Sequence, residues 1–115
     1  MNSLRNSVQL IGNLGKDVVI KEVSTGSKKA SFSLATNEYY KNNKGEKVQE
    51  TQWHNIVAWG KTAEFMSSIL TKGSQVLIKG KLQSGSYEDK AGEKKYFTEI
   101  IANEFVTFDK KEMPF

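Results

Sequence analysis

Thr51-Gln52-Trp53-His54-Asn55-Ile56-Val57-Ala58-Trp59 runs straight into Gly60-Lys61-Thr62-Ala63-Glu64-Phe65-Met66-Ser67-Ser68-Ile69-Leu70, and the hydrophobic period changes between them. The first stretch is rich in aromatic and β-branched residues, the composition of a strand. In the second, Phe65, Met66, Ile69 and Leu70 recur at helical spacing, which predicts a helix over 62–70 with these four residues facing the core. Thr62 is the expected N-cap and Lys72-Gly73 the expected helix end.

Outward from this junction the chain reads as strand. Residues 7–14 place Val8, Leu10 and Leu14 on one side, with Gly12 and Gly15 as bends; Val18-Val19-Ile20 and Val23 continue that strand or begin its partner. Residues 28–36 alternate Ala30, Phe32 and Leu34 against Ser31, Ser33 and Ala35. A polar stretch from Tyr39 to Glu50 follows, with turn chemistry at Asn42-Asn43-Lys44-Gly45. Beyond the helix, Val76, Ile78 and Leu82 mark a fourth strand and residues 95–106 a fifth, around a hairpin tip at Asp89-Lys90-Ala91-Gly92-Glu93. Three strands, one helix, two strands is the order of an all-β fold, a five-stranded OB-fold Greek-key barrel with an α-helix between strands 3 and 4. An SH3-like barrel has shorter strands and no helix of this length. One domain is expected over 1–108, leaving 109–115 as a short tail.

Composition removes several function classes. The 115 residues include no cysteine and one histidine, His54, so thiol chemistry, disulfides and imidazole metal clusters are not expected. Glu88-Asp89 is the one adjacent acidic pair, poor material for a metal-dependent nuclease. We expect no enzyme, no cofactor and no metal. The longest apolar run, Ile56 to Trp59, is far too short for a membrane span, and Met1 to Asn6 has no signal-peptide character, so a cytoplasmic protein is expected. The net charge is +4, from 17 cations and 13 acids, and favours an anionic partner. Sixteen of those cations are lysine and one is Arg5. Lysine is a flexible point charge suited to phosphates, whereas arginine's planar fork is the usual reader of guanine edges. A nucleic-acid partner would therefore be held by its backbone and not by its sequence.

Residues two apart on a strand share a face, so Trp53, Asn55, Val57 and Trp59 point one way and His54, Ile56 and Ala58 the other. The tryptophans lie about 20 Å apart along the strand. Ile56 and Ala58 suit a barrel interior, which leaves both indoles outside; the inverted assignment would make them core. Tyr39-Tyr40 adjoin the loop after the second strand, while Tyr87 and Tyr96-Phe97 flank the last hairpin. Exposed rings among lysines are what sequence-tolerant single-strand binding uses, because every base has a π-face. Lys61, Lys72, Lys79 and Lys81 are candidate phosphate contacts, and Lys41, Lys44 and Lys47 lie near the mobile-looking tip. For His54, the parity favours a buried or interfacial ring with a satisfied hydrogen bond.

Four ordered blocks carry a resemblance. Leu34-Ala35-Thr36-Asn37-Glu38-Tyr39-Tyr40, Thr51-Gln52-Trp53-His54-Asn55-Ile56-Val57, Gly60-Lys61-Thr62-Ala63-Glu64 and Lys72-Gly73-Ser74-Gln75-Val76 closely resemble the bacterial and mitochondrial single-stranded DNA-binding protein family. The opening Gly12-Asn13-Leu14-Gly15-Lys16-Asp17 matches as well, and the similarity covers about 4–108. The resemblance implies that Trp53, Trp59, Tyr40 and Tyr87 stack on DNA; Lys61, Lys72 and Lys81 remain the phosphate contacts expected from their place in the sequence. At Tyr40 and Tyr87 many relatives carry tryptophan, and at Trp59 phenylalanine. It also implies a homotetramer with His54 near a subunit interface.

The family usually closes on a flexible linker and an acidic tip ending in Pro-Phe, which recruits replication and repair proteins. Here Glu112-Met113-Pro114-Phe115 resembles that tip, but the side chains from Asp109 to Phe115 sum to zero charge and no long linker precedes it. The expected function is non-sequence-specific binding of single-stranded DNA during replication, recombination and repair. The rivals are a specialised paralogue (primosomal, plasmid- or phage-borne) and an OB-fold protein-interaction module, which predicts buried tryptophans.

Overall fold

Alternation along two long strands builds the barrel wall. In β3 (Lys28–Lys41), Ala30, Phe32 and Leu34 are buried, and they stand opposite Ala58, Ile56 and His54 of the antiparallel β4 (Lys47–Trp59). A second antiparallel pair, β5 (Gln75–Glu88) and β6 (Lys94–Thr107), adds Val76, Ile78, Ile100 and Ala102 to the same core. A short parallel contact, Ile56 to Ile100 and Val57 to Ile101, joins the two pairs. The computed structural model describes residues 4–23 and 26–108.

Closure depends on β1 (Val8–Leu14), which pairs with β5 from Val8 to Asn13 and with β3 at Asn13 and Leu14. At the crossover a Cβ on Gly12 would run into the Ala35 carbonyl, so only a residue without a side chain lets the two backbones approach. The closed circuit is β1-β5-β6-β4-β3, five strands, with β2 (Val19–Glu22) added to the open edge of β3. This is the OB-fold barrel. Val18–Val23 thus forms neither a continuation of the first strand nor one of the five barrel strands, and with β2 counted the helix lies between strands 4 and 5 of six.

The helix α1 (Gly60–Ile69) departs from expectation at its start and at Phe65, whereas Met66, Leu70 and the partly buried Ile69 face the core as expected. It begins at Gly60, two residues before Thr62; Gly60 at φ +63° turns strand into helix with no loop, and the cap position, Trp59, makes no side-chain cap bond. Ala63, Met66 and Leu70 are buried, whereas Phe65 is 59% exposed. Those three residues are spaced i, i+3 and i+7 and form one stripe against the barrel, and Phe65 sits about 100° round the helix from Met66. After the helix, Gly73 at φ +90° forms a turn that is tied to β1: its N–H donates to the Leu14 carbonyl, and the Leu14 N–H donates to the Ser74 carbonyl.

The polar stretch 39–50 is mostly strand, and the turn is confined to Asn42–Glu46, where the Asn42 side chain accepts from the Lys44 and Glu46 N–H groups. Hairpins β3–β4 and β5–β6 therefore project from the barrel as arms. The radius of gyration is 16.4 Å, against about 13 Å for a compact chain of this length. No helix among the described residues is long and apolar enough to cross a membrane.

Leu34 is fully buried. In urea unfolding at fixed protein concentration, Leu34→Ala should lose about 2–5 kcal/mol. Phe65→Ala should fall within about 1 kcal/mol of wild type. An equal loss at both positions would contradict this packing.

Candidate nucleic-acid interface

The outer face of β4 is set by its parity. Burial of Ile56 and Ala58 sends Trp53, Asn55 and Trp59 outward, with Trp53 61% and Trp59 44% exposed. Val57 shares their parity but is covered, next to its parallel partner Ile101. In register beside them on β3 stand Lys29, Ser31, Ser33 and Ala35, opposite Trp59, Val57, Asn55 and Trp53 in turn. The result is a floor of small polar side chains with an indole at each end.

Each indole has a support. The Lys29 ammonium lies 5.5 Å from the centre of the Trp59 ring, a cation–π contact worth about 0.5–1 kcal/mol at an exposed site. Trp53 rests against Gly15, where an added Cβ would come within 2.5 Å of the ring atom Cζ3. Between the floor and the β5–β6 hairpin runs a groove of about 350 Å³, whose edge includes Lys16, Lys29, Phe97 and Glu99. A face of this kind offers flat apolar plates to planar groups and ammonium groups to an anion.

The chain matches the Single-strand binding protein family over residues 5–108. It belongs to that family. Single-stranded DNA-binding protein 1 of Chlorobaculum tepidum is 44% identical over 108 residues, covering 93% of this chain and 67% of that protein. The protein of the same name from Xylella fastidiosa is 41% identical over 108 residues, 93% of this chain and 79% of its own. Among solved structures, the Plasmodium falciparum SSB in complex with ssDNA superposes with a TM-score of 0.82 at 34% identity, covering 90% of this chain and 95% of that one. A deletion mutant of the Thermus aquaticus single-stranded DNA binding protein shares the fold, with a TM-score of 0.80 at 24% identity over 92% of this chain and 51% of that chain.

Within this family member, the other residues singled out from the sequence fall in several places. Tyr40 and Tyr87 are exposed on the two arms; Tyr40 has the parity of Thr36 and Leu34, not that of the tryptophans' neighbours, whereas Tyr39, under the Lys47 ammonium at 5.2 Å, does share it. His54 is half-buried, and its Nε2 lies 3.0 Å from Thr36 Oγ1. Lys61 borders a separate depression with Lys28 and Glu64. Lys79 borders another, with Asn6 and Glu104. Lys72 is exposed on the turn after the helix, where its backbone N–H donates to Asp17 at 2.7 Å, and Lys81 is exposed on β5. Glu112, Met113, Pro114 and Phe115 lie outside the described residues.

The groove's own lysines, Lys16 and Lys29, are not among those singled out from the sequence. Lys29 was findable, because antiparallel register places it opposite Trp59; Lys16 depends on how the β1–β2 loop folds over the sheet. No group of three or more His, Cys, Asp or Glu among the described residues is placed to hold a metal ion.

Gly15→Ala should push the Trp53 ring off its seat while leaving the barrel intact. In a Trp59→Phe background, where Trp53 is the only tryptophan and is excited selectively at the red edge, its fluorescence should shift to the red and become more quenchable by acrylamide, with little change in the unfolding midpoint. An unchanged spectrum would show that Gly15 does not seat the ring.

Proposed function

We propose that this protein binds single-stranded DNA without sequence preference and so protects and organises unwound DNA in replication, recombination and repair. The observation that carries the proposal is the pair of outward tryptophans on β4, spaced along a floor of small polar residues and flanked by lysines. The family membership supports it, as does the likeness to a structure solved as an SSB complex with ssDNA.

Bases stack on Trp53 and Trp59, and on Tyr40 and Tyr87 of the arms, each ring contributing about 1–3 kcal/mol whatever the base. Lys16 and Lys29 in the groove, and Lys61, Lys72 and Lys81 elsewhere on the surface, neutralise phosphates and release counterions. With one arginine in the chain, base edges go largely unread. The mechanism involves binding alone: there is no catalytic step, and neither a metal nor a cofactor takes part.

The functional unit is a homotetramer with His54 near a subunit interface. Residues 1–108 form the DNA-binding domain, and the segment Glu112-Met113-Pro114-Phe115 in the tail 109–115 recruits partner proteins of replication and repair. The protein works in the cytoplasm on nucleoid DNA. Sedimentation equilibrium should return four times the chain mass; a monomer mass would remove the assembly part of this reading.

Tryptophan fluorescence during titration with oligo-dT tests the function. Strong quenching is expected, with a log–log salt slope of about −0.7 per phosphate contacted. Trp59→Ala should bind about 5- to 150-fold more weakly. Unchanged fluorescence with no complex at low salt would overturn the reading and favour a protein-interaction module.

A further inference from the structure

The wall of the groove opposite the tryptophan floor carries one more ring. Phe97 of β6 is half-buried there, directly across the β5–β6 pair from Gly85. The two are in close contact. A Cβ built on Gly85 would fall 2.5 Å from Phe97 Cζ, 2.9 Å from Cε2 and 3.3 Å from Cε1, so the ring lies over the glycine backbone. Gly85 does not have a positive φ, so its backbone conformation would admit any residue. A glycine inside a strand lowers stability relative to alanine, and what this one provides is room for the ring.

Residues 85 and 87 of β5 share a face, and the Tyr87 ring centre lies 6.4 Å from that of Phe97 at an interplanar angle of 38°. Gly85, Phe97 and Tyr87 thus form a ledge along the hairpin, and Phe97 is the part of it that lines the groove bordered by Lys16 and Lys29. Phe97 is held from below by backbone and from the side by Tyr87, so little side-chain freedom remains to be lost when a planar group stacks on it. The neighbouring Tyr96 has the opposite parity, lies under the Lys94 ammonium at 5.6 Å, and points away from this ledge.

We propose that Phe97 is a further base-stacking residue of the interface, seated by Gly85 as a positioning residue and extended by Tyr87. A single strand is then held between the tryptophan floor and the hairpin wall. The proposal rests on the reading above, that this groove takes single-stranded DNA.

The test titrates wild type, Phe97→Leu, Phe97→Tyr, Gly85→Ala and the double variant Gly85→Ala/Phe97→Leu with oligo-dT, following tryptophan fluorescence, with thermal unfolding of each free protein in parallel. Leucine keeps the apolar bulk and removes the π-face. Phe97→Leu is expected to bind at least about fivefold more weakly, and Phe97→Tyr to bind like wild type. Gly85→Ala should weaken binding by displacing the ring, and the double variant should bind no more weakly than Phe97→Leu alone, because both act through one contact. Wild-type affinity in Phe97→Leu overturns the proposal, as do losses that add in the double variant. Should Phe97→Leu fail to fold, wild-type affinity in Gly85→Ala overturns it equally. If wild type itself binds no oligonucleotide at low salt, the reading of the groove falls and this proposal with it; if wild type binds and the variants match it, only this proposal falls.

Discussion

Burial of Ile56 and Ala58 in the barrel is the constraint on which the rest depends. A strand has a side-chain period of two, so committing those residues to the interior commits Trp53, Asn55 and Trp59 to the outside. A slip of one residue would bury two indoles and expose the core. The unbroken register with β3 from Lys29–Trp59 to Lys41–Lys47 prevents such a slip, and it sets Lys29, Ser31, Ser33 and Ala35 beside the tryptophans. The exposed face is thus a by-product of filling the barrel: one set of alternating residues makes the core, and the other makes the outer face that we propose binds DNA.

Glycine completes that face in a second way. Gly12 permits the crossover of β1 that closes the barrel, while Gly15 and Gly85 each leave a bare stretch of backbone on which an aromatic ring rests. An exposed ring on a flexible side chain is a poor stacking surface until it is immobilised. Backbone contact with Trp53 and Phe97, and the Lys29 ammonium over Trp59, supply that immobilisation before any ligand arrives.

The sequence discloses those parts of the fold that follow from period alone. The alternation of Ala30, Phe32 and Leu34 and the parity of Trp53 and Trp59 are local patterns, and the structure keeps both. The helix is legible as an element, and Met66, Leu70 and the partly buried Ile69 face the core as their spacing implies; Phe65 fits the same spacing but lies outside, while the small Ala63 is buried, and only the neighbouring strands decide between those two. Composition marks 39–50 as loop because the arms there are solvated on both faces, so no hydrophobic alternation betrays the strand. Lys16 and the Gly85–Phe97 contact come together only through tertiary folding, and β2 emerges as a separate strand because β3 has a free edge to accept it.

The most direct test is fluorine NMR of protein labelled with 5-fluorotryptophan, observed in H₂O and D₂O and then with saturating oligo-dT. Two resonances are expected, both with solvent isotope shifts in the free protein and both displaced by the oligonucleotide. Two resonances insensitive to solvent and unmoved at saturation would contradict it, because the tryptophans would then belong to the core.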